Sequence, residues 1–164
     1  FCFGTGMSSR LFQRLRERQG LVYNVYTSCS AYKTNGTFGI YVNTSGGNLE
    51  RALASVAEEL EELVKNGLTE KEIARAKIQL KSSMLFGIEN ILSVMSASGK
   101  YAMYTGKPYD VDKNIREVEA VTPEEVAEFC ASGVFSAPLS MAYVGKGEHV
   151  EGLDPLGIFV KNRI

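Results

Sequence analysis

Histidine is nearly absent: His149 is the only one in 164 residues. A general base or metal site built from imidazole must use it or do without, and its neighbours do not help. Glu148 and His149 match the tail of an H-x-x-E-H zinc motif, but Gly145 stands where the first ligand belongs. Gly145 and Gly147 also oppose the helix that would aim two imidazoles at one metal. His149 therefore reads as a surface loop residue, and no nucleophile signature adjoins it to suggest a serine or cysteine triad. Cysteine is scarce too. Cys2, Cys29 and Cys130 are far apart and form no C-x-x-C pair, which argues against a disulfide framework or zinc ribbon and suits a reducing compartment. No apolar run approaches the roughly 20 residues of a membrane helix, and no charged-then-apolar leader opens the chain. The formal net charge of -1 lacks the basic excess of nucleic-acid or anionic-membrane binders. The four arginines between Arg10 and Arg18 are only a local patch.

With 45% hydrophobic and 23% charged residues, the chain has the composition of one globular domain, residues 1–164, with a loop or tail over 145–164. It starts at Phe1, in a segment that reads as the end of something apolar, and we expect a fragment of a larger protein.

The densest stretch is Gly4 to Tyr26. Residues 8–19 predict a short helix with Leu11, Phe12 and Leu15 on one face and Ser8 or Ser9 as N-cap. Gly20 ends it. Strands are expected over 21–32 and 37–44, with Asn35-Gly36 as a two-residue hairpin turn. That turn pairs residues whose numbers sum to 71, so Ala31 meets Ile40 and Cys29 meets Val42 on a core face. Ser30 meets Tyr41 and Ser28 meets Asn43 on a polar-aromatic face that is either solvated or lines a cavity.

Residues 49–65 carry a one-face apolar stripe and predict an amphipathic helix. Thr69 and Glu72 form a capping box for the next helix, which breaks near Gly87, resumes through Tyr104 and ends before Gly106-Lys107-Pro108. A short helix follows over 110–119, then one starting at Thr122-Pro123-Glu124-Glu125 and running to about Cys130. Leu139–Val144 is expected as a last strand, and Ile158–Val160 as a short apolar end. The order predicts an α+β fold with helices on one face of an antiparallel sheet.

Two features invite chemistry. The Gly4-Thr5-Gly6 turn has N–H groups that could cradle phosphate, but no third glycine or Gly-Lys-Ser/Thr follows, so a structural turn is the plainer reading. Arg16 falls beside Phe12, away from Arg10 and Arg14, on a helical wheel of about 100° per residue. An arginine can hold a peptide carbonyl or carboxylate, and a tyrosine such as Tyr23 can donate to a developing oxyanion. On spacing alone, a helix-end arginine and a strand tyrosine are the plainer reading.

The strings GMSSRLFQRLRERQGLVYNVY, FGIYVNTSGGNLE, GLTEKEIARAKIQLKSSMLFGIEN and VEAVTPEEVAEF carry a resemblance that reaches to about Val144. They resemble the C-terminal, non-zinc half of the pitrilysin or insulinase-type zinc metallopeptidases, in the branch of the mitochondrial processing peptidase. The resemblance implies half of a two-domain clamshell, here without its first strands, that closes over an extended peptide. Zinc would be bound by the missing N-terminal half, on its own H-x-x-E-H helix, and none by this segment, which alone would be inactive. It implies catalytic roles for Arg16 and Tyr23, which match a family pair seven residues apart, and substrate binding for Gly4, Gly6, Met7, Ser8 and Ser9. Its implied partners are a peptide substrate and the zinc-bearing half, the parent being a homo- or heterodimer in the cytoplasm or the mitochondrial matrix. Alternatively the parent is a catalytically silent partner subunit, or a structural protein of the same fold. One tension remains: strict alternation puts Tyr23 on the core face with Val25, unless it lies at a strand end or a bulge re-aims it.

Overall fold

The computed structural model describes residues 1–132, 135, 139–150, 153, 154 and 158. The fold is α+β: a two-stranded antiparallel sheet, β1 (Val22–Ala31) and β2 (Gly36–Thr44), with helices packed to one side. A seven-residue π-helix, Phe12–Arg18, precedes the hairpin. After a 3-10 turn at Gly46–Asn48 come α1 (Leu49–Asn66), α2 (Glu70–Ile88), α3 (Ile91–Thr105), α4 (Val111–Ala120) and α5 (Pro123–Ala131).

The helices begin where the sequence provides acceptors for their unpaired N–H groups. Thr69 with Glu72, and Thr122 with Glu125, form reciprocal capping boxes, and Asn90 and Asp110 cap α3 and α4. The expected break near Gly87 is the short Glu89-Asn90 link between α2 and α3. At the first helix the capping expectation is corrected. Ser9 is buried and its hydroxyl donates back to the Gly6 carbonyl at 2.8 Å, so neither Ser8 nor Ser9 caps it.

The core lies between the base of the hairpin, the π-helix, α1 and α5, where Leu11 and Leu15 (both fully buried), Val22, Val25, Ala52, Val56, Leu63 and Cys130 meet. Full burial of one such leucine contributes about 1.5–3 kcal/mol. The three cysteines are free: Cys2 half-buried, Cys29 exposed and Cys130 buried. No described helix is long and apolar enough to cross a membrane.

The hairpin register differs from expectation. Val25 pairs with Val42, Tyr26 with Tyr41 and Ala31 with Gly36, so partner numbers sum to 67. The turn is not a two-residue Asn-Gly turn, which would need positive φ at both central residues. Gly36 has no positive φ; it is the last paired residue, and Tyr32 N–H donates to the Asn35 carbonyl at 2.8 Å across the loop. A Cβ at Gly36 would lie 2.9 Å from the Ser30 carbonyl oxygen, so glycine serves close approach there. Because the slip from 71 is even, the side chains from Asn24 onwards keep their expected faces although their partners change. Cys29 and Ala31 are nevertheless exposed, and the core face is buried only towards the base, at Val22 and Val25.

The expected strand at Leu139–Val144 is absent. These residues take no regular structure, and Val144 is 99% exposed. An extended segment gains ladder hydrogen bonds only beside another strand, and the described sheet ends at β1 and β2. The expected apolar end at 158–160 lies largely outside the described residues.

Candidate functional site

The site forms where the π-helix turns into β1. Its ladder is wide: Gln19 N–H donates to the Arg14 carbonyl five residues back at 3.1 Å, and Leu21 N–H to the Leu15 carbonyl at 2.8 Å. The second bond fastens the start of the strand to the helix. Gly20, between them, takes φ +60° with nothing within 4 Å of where a Cβ would stand, a conformation suited to glycine. Across the hairpin, the Thr44 hydroxyl donates to the Leu21 carbonyl at 2.5 Å. Leu15 and Leu21 are both buried, so Arg16 and Tyr23 extend from a fixed frame.

The arginines divide the labour of this helix. Arg10 places Nε and Nη2 on the Glu72 carboxylate at 2.6 and 2.8 Å and also donates to the Gly67 carbonyl at 2.9 Å. The guanidinium of Arg10 beside it, with donors from Thr69, holds the Glu72 carboxyl down at about 2. Arg14 pairs with Glu58 and, at 2.8 Å, with Glu59. Arg16 has no ion pair among the described residues; its guanidinium lies over the Phe12 ring, 5.1 Å from the centroid. Two arginines therefore fasten the helix to α1 and α2, while Arg16 is exposed.

Tyr23 sits on a β-bulge. Val22 pairs with Thr44 and Asn24 with Asn43, so Tyr23 is the extra residue on β1. Val22 and Val25 are three residues apart and cannot share a face in a regular strand. The inserted residue lets both point inward, at 6% and 3% exposure, and turns Tyr23 outward at 69%. The strict-alternation assignment of Tyr23 to the core face is thereby corrected.

The loop expected to contact substrate divides in two. Gly6, Met7 and Ser8 are exposed, Met7 by 74%, whereas Gly4 and Ser9 are buried. Gly4 accepts a hydrogen bond from Thr27 N–H at 3.0 Å, and a Cβ on it would lie 2.2 Å from Thr27 Cγ2. The loop is thus seated directly on β1. Sequence reasoning missed the Tyr26–Tyr41 stack, a cross-strand pair with ring centroids 4.7 Å apart and planes at 7°. Its signal was present: neither strand contains a charged residue.

Among the described residues, no three His, Cys, Asp or Glu side chains gather as a metal-binding group. Burial raises the thiol pKa values of Cys2 and Cys130.

The family model described as peptidase M16 inactive domain matches residues 1–80. An uncharacterized zinc protease of Bacillus subtilis is 39% identical over 123 residues, covering 75% of this chain and 30% of that protein. One from Streptomyces coelicolor is 37% identical over 123 residues, covering 75% and 27%. A crystal structure of a peptidase M16 inactive domain from Pseudomonas fluorescens superposes with a TM-score of 0.71 at 26% identity, covering 80% of this chain and 31% of that one. The chain thus spans less than a third of the length of these relatives.

Proposed function

We propose, from the match of residues 1–80 to the peptidase M16 inactive-domain family, that the chain is the substrate-binding, oxyanion-stabilising half of a zinc endopeptidase. The observation that carries the reading is the bulge at Tyr23, which sets an exposed phenol beside the junction that also presents Arg16. The Tyr23 hydroxyl donates to the oxygen that gains charge as water adds to the scissile carbonyl. Arg16, unpaired within the described residues, donates N–H groups to a neighbouring peptide carbonyl or carboxylate. Gly6, Met7 and Ser8 form the exposed rim that the peptide passes; Gly4 seats that rim on β1 and Ser9 ties it back through Gly6.

Zinc is named in the relatives, but the described residues do not fit it: they gather no ligand set. Zinc in the parent would be held by its other half, and no step above runs through it. The partners on this reading are an extended peptide and a zinc-bearing half, the parent being a homo- or heterodimer.

The test is kinetic, in the full-length protein. Arg16→Ala and Tyr23→Phe should each lower kcat/KM for a cleaved peptide by roughly tenfold or more, as loss of an oxyanion donor does, with the melting temperature retained. Undiminished turnover in both variants would reduce the pair to scaffold.

A further inference from the structure

The outward face of the hairpin is exposed, yet it is built unlike a surface meant only for water. Neither β1 nor β2 contains a charged residue, although 23% of the chain is charged. Exposed sheets and their edges ordinarily carry charges, which keep them soluble and unpaired. In their place stand Asn24, Asn43, Ser28, Ser30 and Thr37, around the stacked rings of Tyr26 and Tyr41, which are 44% and 52% exposed. Gly39 gives the pair its floor. It lies opposite Ser28, and a Cβ there would meet the Tyr41 ring at 3.3 Å, so the ring leans over the strand.

We propose that the Tyr26–Tyr41 stack is a second recognition site, an exposed aromatic platform formed by the ring edges and outer faces that takes an apolar or aromatic side chain of an extended peptide. The occupant follows from two observations. A face with no formal charge offers nothing to an ionic side chain, while aromatic rings offer a large, rigid apolar surface. The platform is also continuous with Tyr23, three residues away on the same strand, or roughly 10 Å along an extended chain. A peptide whose scissile bond lies at Tyr23 therefore sets a residue about three positions from that bond over the rings. The proposal rests on the peptide-binding reading above and deepens it by naming a side-chain preference away from the scissile bond.

The experiment reads binding without turnover. Full-length protein, stripped of zinc with a chelator, is titrated against fluorescein-labelled peptides carrying Phe or Gly three residues to either side of the cleaved bond, with anisotropy as the readout. The double variant Tyr26→Ala/Tyr41→Ala should weaken the Phe peptide roughly tenfold and leave the Gly peptide unchanged. Tyr26→Phe/Tyr41→Phe, which keeps the ring faces, should restore wild-type binding of the Phe peptide. Equal weakening of both peptides, or none of either, overturns the platform. If Arg16→Ala weakens binding while the tyrosine variants do not, only the platform falls. If the wild-type protein binds neither peptide, the platform and the peptide-binding reading fall together.

Discussion

Along α1 the apolar residues Ala52, Leu53, Val56, Ala57 and Leu63 are all buried, whereas along α3 Ile91, Leu92, Met95 and Met103 are each at least 65% exposed. Both helices are well formed, so intrinsic helicity does not separate them. The difference lies in what each helix faces. α1 lies against the π-helix, β2 and α5, and its Glu58 and Glu59 hold Arg14, whereas α3 packs chiefly on α2. The apolar stripe of α1 meets a matching surface and becomes core. On α3, Tyr101 packs against Tyr109, but Ile91, Leu92, Met95 and Met103 find no such cover among the described residues. Apolar composition predicts that a surface seeks cover, and only the neighbours decide whether it finds it.

The sharpest way to break this comparison is to truncate one side chain in each region. Leu15→Ala should cost about 2–5 kcal/mol by urea unfolding of the 164-residue chain, because a fully buried leucine leaves a cavity. Met103→Ala, 84% exposed, should change stability by no more than about 0.5 kcal/mol. Equal losses would mean that α3 has a partner in solution and that the contrast is false.

A smaller effect is expected where the two regions are fastened together. Glu72 lies on α2 and holds Arg10 beside the π-helix, and Glu72→Gln should cost about 1–3 kcal/mol by leaving the guanidinium under-satisfied. The pH dependence has a definite sign. The folded-state pKa of Glu72 is depressed from 4.5 to about 2, so its contribution is fully present above about pH 4.5 and is lost as pH falls from there towards 2. Acid titration of stability should therefore show a loss over that window in the wild type that is reduced in Glu72→Gln. An identical acid profile in the two proteins would show that the clamp does not hold in solution.

A last pair of effects concerns glycine, and the two should differ in sign. Gly4→Ala drives a methyl into Thr27 and should destabilise by about 1–3 kcal/mol. Gly87→Ala, in the last turn of α2 with nothing within 4 Å, should stabilise by about 0.4–1 kcal/mol through the unfolded chain. Thermal unfolding of both variants checks the pair, and a shift of the same sign in both would contradict the packing described for Gly4.

Much of the fold was legible because its signals are local. The stripe of α1, the capping boxes at Thr69 and Thr122 and the break after Gly87 each depend on residues within a few positions of one another. Of the candidate site, the placing of Arg16 beside Phe12 was legible from the helical period, whereas the roles of Arg16 and Tyr23 came only from the family resemblance. What was misread depends on distant partners. Asn35-Gly36 looks like a tight turn from its neighbours, but the register is set by Val22 and Val25 docking on the π-helix and by the approach of Gly36 to Ser30. Leu139–Val144 has the composition of a strand but, among the described residues, no strand beside it.

By itself, then, the sequence determined the helices and the charge-free composition of the hairpin, because each follows from short-range sterics, caps and periodicity. Only the tertiary structure decided which way Tyr23 faces. Two valines three residues apart must both reach one core, and a regular strand cannot deliver them there. The bulge that reconciles them turns the tyrosine between them outward into solvent.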